Sequence, residues 1–319
     1  MPGRGRPDDR GLFRLCDRAR GDQDGPRMKS AVAQHSSASR STRRHGHIVP
    51  EIRSDVVRRS HRILSRIVKS YFRSEIRGAE RLPSSQTILV AHHDGGVLPI
   101  NGICLGVHWY DHFGFDRPLY VLTHDLLHSL WDPFSRLLAD SGLLRADRKA
   151  MDAVLERGQS VLIFPGAARE SFRPFWHRKN IDLGGRKGFI AQAIRWGLPI
   201  TPVVSAGSHE TVVVLSGGHD FAKMLGIPKI VRSADVWPLL AGLPWGVWAL
   251  PFLPHIPLPA KITTEVLPPI HLSEALGRDL NPDDASDPEI VQAGFDLVVG
   301  RMRKRLGELY DERKYPVLG

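Results

Sequence analysis

The sequence predicts an α/β fold in which a mixed sheet is covered by helices. Three observations predict it. Short apolar runs of four or five residues alternate with longer stretches of helical periodicity, as expected of a sheet whose crossovers are helices. Two of those runs end in polar residues and glycines, AHHDGG and FPGAARE, and open α/β sheets build their sites at the carboxyl ends of strands. Hydrophobic residues make up 42% of the 319 and charged residues 24%, enough apolar side chains for a large core and too many for a disordered chain.

In chain order, residues 1–50 are rich in Gly, Ser, Arg and Asp and lack periodicity, so a disordered basic tail is expected there. Its first residues have no apolar run of the secretory kind, and five aspartates count against an organelle transit peptide. Residues 51–78 fit a basic amphipathic helix. Ile52, Val56, Ile63, Ile67 and Tyr71 recur at about helical spacing, and arginines from Arg53 to Arg73, with Lys69, occupy much of the remainder. Residues 1–50 carry 11 basic and 5 acidic groups and residues 51–78 carry 8 and 3, so the net charge of +10 is concentrated there and the body is near neutral. That distribution argues against a nucleic-acid channel across the domain and suits attraction to an anionic membrane surface. The helix either packs on the body with a solvated arginine face or touches the membrane, and the two are compatible.

The main domain is expected over residues 79–275. Thr87–Ala91, Leu119–Leu122, Ser160–Phe164 and Ile200–Val204 are its strand candidates, and 97–110, 124–139, 147–157 and 186–196 have helical character. The run TVVVLS at 211–216 is a further strand or an apolar flap. Residues 276–319 form a helical extension packed on the domain, with a helix from Asp287 to Glu312. One segment departs from the pattern: Val236–Ala260 has no charged residue and contains Trp237, Trp245, Trp248 and Phe252. It is long enough to cross a bilayer, but six prolines argue against a regular spanning helix. A kinked apolar segment against a membrane, a wall for an acyl chain, or a buried connection fits better. Cys16 and Cys104 do not form a disulfide framework, and a reducing compartment is the default.

The chemistry concentrates in two blocks. In AHHDGGVLPIN, His92, His93 and Asp94 follow an apolar run directly, where a histidine can take a proton from an attacking hydroxyl and a carboxylate can orient its ring. In VLIFPGAARESFRPF, a Pro-Gly turn precedes Arg169, Glu170 and Arg173, and arginines after a strand suit a phosphate or carboxylate. Arg186 and Lys187 stand at the start of a later helical stretch. No phosphate loop, dinucleotide fingerprint or serine nucleophile elbow occurs. The pairs His108/His112 and His124/His128 lack an evident third ligand, so no metal site is expected.

The order of these blocks resembles the glycerolipid acyltransferase superfamily, which includes lysophosphatidate and glycerol-3-phosphate acyltransferases. The nearer resemblance is to its diacylglycerol-acyltransferase-like branch. His93-Asp94-Gly95-Gly96 matches its histidine block, and Phe164-Pro165-Gly166-Ala167-Ala168-Arg169-Glu170 its Phe-Pro-Gly-Gly-x-Arg-Glu block. Gly142–Arg148 is similar to its intermediate block and Leu198–Val203 to its last strand motif, so the likeness covers about residues 55–275. It implies a glycerolipid-acyltransferase-like sheet and transfer of an acyl group to a glycerolipid or related lipid alcohol. Acyl-CoA or acyl carrier protein would be the co-substrate, with no bound cofactor.

The resemblance makes His93 the general base, with His92, Asp94 and Asn101 as the remaining catalytic candidates. Gly95, Gly96, Arg145, Arg148, Pro165, Gly166, Arg169 and Glu170 are the substrate-binding candidates. It also implies peripheral attachment to the cytoplasmic side of a membrane. Asn101 stands where the family pattern has an aspartate, and an amide cannot supply that charge. A relocated carboxylate, altered or lost chemistry in a lipid-binding relative, and a lipid ester hydrolase are therefore the readings to separate.

Overall fold

The computed structural model describes residues 49–93, 95–124, 127–128, 132–224, 226, 236–250 and 253–319. Ten strands are assigned: β1 (Glu75–Arg77), β2 (Ile88–Ala91), β3 (Leu119–Thr123), β4 (Leu143–Arg145), β5 (Ser160–Ile163), β6 (Ile200–Ala206), β7 (Val213–Ser216), β8 (Leu239–Gly242), β9 (Gly246–Trp248) and β10 (Thr263–Val266). Seven of them form one sheet in the order β1-β10-β6-β2-β5-β3-β4. The five from β6 to β4 are parallel, and β10 joins antiparallel at β6. β2 lies at the centre, with Leu89 opposite both Leu162 and Thr201.

Helices cover both faces, which explains the unbroken apolar runs of β2 and β5. The helices are α1 (Ser54–Arg66), α2 (Ile100–Phe113), α3 (Asp132–Asp140), α4 (Arg148–Glu156), α5 (Ala167–Ser171), α6 (Gly188–Trp196), α7 (His219–Met224), α8 (Leu272–Ala275) and α9 (Pro288–Asp311). Alternate residues of β2 point to opposite faces. Ile88 and Val90 enter a core with Val154 of α4, Ile190 of α6 and Val298 of α9. Leu89 and Ala91 meet Leu105 and Trp109 of α2 on the other side. The C-terminal helix α9 therefore completes the main core. Asp287 caps it, accepting from the N–H groups of Glu289 and Ile290.

The expected amphipathic helix over 51–78 is shorter. It runs as α1 and a π-helical continuation, Ile67–Tyr71, and packs Val68 and Phe72 against Ile100, Cys104 and Val107 of α2. Its last expected residues are β1 instead, at the sheet edge. The tail reading over 1–50 also needs a correction at its end. Val49 is buried in the main core, and Pro50 O accepts from the Tyr120 hydroxyl; the rest of the tail lies outside the described residues. The expected helix over 124–139 includes α3, with 125–126 and 129–131 outside the described residues. The uncharged segment 236–260 contains β8 and β9, which form a three-stranded antiparallel sheet with β7. Among the described residues, no helix is long and apolar enough to cross a membrane.

Candidate active site

The carboxyl ends of β2, β5 and β3 deliver the loop 92–96, the turn Phe164–Gly166 and His124 to one edge of the sheet. The two adjacent histidines separate into different roles there. His92 is buried and both its ring nitrogens are engaged with main chain: Nε2 accepts from Ser205 N–H at 2.9 Å, and Nδ1 lies 3.1 Å from His93 O. That pattern requires the neutral tautomer with its proton on Nδ1. Burial, reinforced by the Arg173 charge, pushes its pKa down to about 3. With its lone pair committed to β6, His92 holds the loop.

His93 is only partly exposed, and its ring packs on Phe164 with centroids 5.0 Å apart. No described residue hydrogen-bonds either ring nitrogen. Burial also pushes this histidine down to about 3, with the charges of Arg173, His124 and Arg186 adding to the effect. Its main chain, by contrast, is held from both sides. Its N–H donates to Glu170 Oε2 at 2.9 Å, and its carbonyl accepts from Arg173 Nη1 at 2.9 Å. Gly96 N–H donates to Ser171 O, fixing the far end of the loop to α5.

Glu170 is fully buried, and its other oxygen accepts from Asp182 N–H at 3.2 Å. Burial raises its pKa to about 7, opposed by Arg173 and the two N–H donors. A side chain at Gly166 would collide with this carboxylate, so the glycine makes room for it. The next residue, Ala167, has φ +50, a left-handed conformation that disfavours a Cβ. The resembled family block has glycine at that position.

Asn101 sits at the start of α2 with 2% exposure. Its Nδ2 donates to His92 O at 2.6 Å and its Oδ1 accepts from Gly102 N–H. The amide thus fixes the main chain of the loop, and no bond from it to the His93 ring is present. Gly95 and Gly96 allow close packing: a Cβ at Gly95 would crowd the carbonyls of His209 and Val212, and one at Gly96 (φ +85) would meet Val212. Asp94 lies outside the described residues.

The arginine candidates divide. Arg169 is exposed, with Nε 3.7 Å from Asp182. Arg145 ends β4 and Arg148 opens α4 beside Asp152, both exposed. β4 stands three places from β2, about 14 Å away at the usual strand spacing, so these two do not reach His93. Two arginines outside the candidate set do border it. Arg173 is buried and bridges the carbonyls of His93 and Glu170, while Arg186 Nη1 donates to the carbonyls of Pro165 and Gly166. Among the described residues, no group of three or more metal-ligating side chains converges. His108 bonds Ser74 and His128 bonds Thr123.

A family model described as diacylglycerol acyltransferase matches residues 47–225, more than half of the chain and inclusive of both blocks. An uncharacterized protein of Mycobacterium tuberculosis is 28% identical over 267 residues, covering 83% of this chain and 68% of that protein. Diacylglycerol O-acyltransferase 2 of Bos taurus is 26% identical over 198 residues, 55% of this chain and 54% of that protein. The human protein of that name is 25% identical, with 50% of it covered; the match thus spans about half the length of these mammalian relatives. Among solved structures, the 1-acyl-sn-glycerophosphate acyltransferase of Thermotoga maritima is similar at 15% identity with a TM-score of 0.48, covering 82% of this chain and 83% of that one. The chain belongs to the diacylglycerol acyltransferase family and is an acyltransferase of lipid metabolism.

Proposed function

We propose that the protein transfers an acyl group from an acyl-CoA or acyl-carrier-protein thioester to the hydroxyl of a glycerolipid or related lipid alcohol, at a membrane surface. The observation that carries this reading is the division between the two histidines: His92 spends both nitrogens on main chain, and His93 has its backbone locked and its ring nitrogens unclaimed by described groups. A neutral His93 takes the hydroxyl proton as the alcohol oxygen attacks the thioester carbonyl carbon. The tetrahedral oxyanion then collapses, the C–S bond breaks, and the imidazolium returns its proton to the leaving thiolate. An imidazole held down to about 3 is a weak base, so the oxyanion must be stabilised strongly for the reaction to proceed. Arg186, which donates to the carbonyls of the Pro165–Gly166 turn, is an exposed cation available for that task. Arg145, Arg148 and Arg169 suit phosphate groups of an extended donor farther along the same edge.

The test is to incubate the purified protein with vesicles holding a panel of glycerolipid acceptors and isotopically labelled acyl-CoA or acyl carrier protein. Mass spectrometry then identifies the product. An acylated lipid is expected, and His93→Ala is expected to lower its rate by about 10²–10⁴-fold. Release of labelled fatty acid alone would make the protein a hydrolase. Absence of any product from a folded protein would make it a binding relative. A fully active His93→Ala variant would remove His93 as the base.

A further inference from the structure

Both sides of the small β7-β8-β9 sheet are apolar. Leu240 and Trp248 turn inward onto Val212, Val214 and Phe172. The opposite side and the adjoining turns expose Leu239, Leu243, Trp245, Val247, Leu250 and Ile256, with Val247 at 61% and Trp245 at 52%. No charged residue occurs between Val236 and Ala260. An exposed apolar cluster on this scale marks a contact surface.

Two hydrogen bonds close within this segment. Trp245 Nε1 donates to Pro254 O at 2.6 Å, and Ile256 N–H to Leu243 O at 2.9 Å. Six prolines bring no N–H at all. Each of these features lowers the number of donors that must give up water on insertion.

The neighbouring helix supplies the charge. Ile63, Ile67 and Tyr71 are exposed on α1 and its continuation at helical i, i+4, i+8 spacing, flanked by exposed Arg59, Arg62 and Arg66. The end of this helix is tied to the apolar segment: the Tyr71 hydroxyl donates to Pro257 O at 2.6 Å, and Arg73 Nη2 to Pro259 O. An apolar stripe edged with arginine complements anionic headgroups over acyl chains. A second copy of the chain docked on the same face would bring arginine rows together.

We infer that the β8–β9 hairpin, with the exposed Leu250 and Ile256 beside it, is a membrane wedge, inserted among acyl chains of an anionic bilayer while α1 lies in its headgroup layer. The inner side of this wall rests on the loop of the candidate site: Val97 packs on its apolar cluster, and a Cβ at Gly96 would meet Val212 and His255. Insertion therefore sets the His93 loop beside the lipid phase, where a lipid acceptor enters from the bilayer. The inference takes from the proposed function only that the acceptor resides in a membrane.

The experiment compares the full chain with a Leu243→Gln/Trp245→Gln/Val247→Gln variant. Binding is measured by co-sedimentation with vesicles of phosphatidylcholine, with and without phosphatidylglycerol. These side chains are exposed, and unchanged circular dichroism would verify the variant's fold. The wild type is expected to bind, more tightly with phosphatidylglycerol, and the variant to bind at least about 100-fold more weakly. Arg62→Gln/Arg66→Gln is expected to lose only the preference for phosphatidylglycerol. Turnover of a detergent-dispersed acceptor should survive the wedge substitutions, so failure of transfer and failure of the wedge give different results. Wild-type binding by the wedge variant overturns the inference. So does a wild-type dimer that the variant dissolves while vesicle binding persists, which would make this face an interface between copies.

Discussion

Gly166→Ala isolates the buttress beneath His93. Gly166 has φ −66, so an alanine there suffers no backbone strain. Its methyl group would lie 2.5 Å from Glu170 Cβ and Cδ and closer still to Oε2. Glu170 is fully buried and cannot swing aside without releasing the N–H groups of His93 and Asp182. At about pH 8, where Glu170 is ionised, hydrogen bonds to the charged group contribute about 1.5–3 kcal/mol each, and a stranded buried N–H costs about 1–3 kcal/mol. Some of that loss is offset as the carboxylate regains water, leaving a destabilisation of about 3 kcal/mol. The same displacement frees the His93 main chain, and a shift of about 1 Å at a reacting group lowers a rate by about 10²-fold. Urea unfolding at unchanged m-value measures the first effect, and initial acyl-transfer rates measure the second. If Gly166→Ala unfolds at the wild-type midpoint and turns over at the wild-type rate, the Glu170 carboxylate does not hold the loop.

The two histidines should separate in stability. His92→Ala strands the buried Ser205 N–H and opens a cavity, costing about 3 kcal/mol, whereas His93→Ala should stay within about 1 kcal/mol of wild type; urea midpoints check both. Their low pKa values also set an acid response. Below pH 6.5 the unfolded chain takes two protons that the folded histidines refuse, and between 4.5 and 7 the folded protein holds one extra proton on Glu170. Across pH 4.5–6.5 these groups leave about one more proton on the unfolded state, so stability falls on acidification by about 1.4 kcal/mol per pH unit. His93→Ala removes one of those protons, and its urea midpoint should fall less steeply than that of the wild type through that window. Ala167→Gly relieves a left-handed Cβ at φ +50, and the gain net of glycine's extra unfolded entropy is about 0.5–1 kcal/mol. A higher melting temperature is the expected readout.

Much of the scaffold was legible because its strands are buried on both faces and read as apolar runs. All four expected strands of the main sheet occur within a few residues of their expected bounds, as does the helix Pro288–Asp311. β1, β4 and β10 were not legible, being three or four residues long and defined by their partners more than by their own pattern. Composition distinguished the Val236–Ala260 segment without specifying a hairpin, since prolines exclude a helix but do not choose among extended paths.

The block carrying His93 was visible from spacing, but the division of labour within it was not. His92 and His93 are chemically identical, and only the approach of Ser205 N–H from β6 commits one of them. The same holds for Arg169 and Arg173. Both follow the Pro-Gly turn, but Arg169 lies within α5 and is exposed, whereas Arg173 lies just beyond it and is buried against His93 O. Asn101 was expected beside an imidazole because of its place in the pattern. The structure gives its amide to the His92 carbonyl, one residue short of that ring.

The bonds that seat the histidine loop end on main-chain atoms: the N–H groups of His93, Gly96 and Ser205 and the carbonyls of His92 and His93. Just beyond the pinned stretch, Val97 packs on the cluster of Phe172, Val212 and Leu240, and Leu98 is exposed. The place of the loop is therefore encoded largely in Glu170, Arg173 and Asn101, residues that lie outside it.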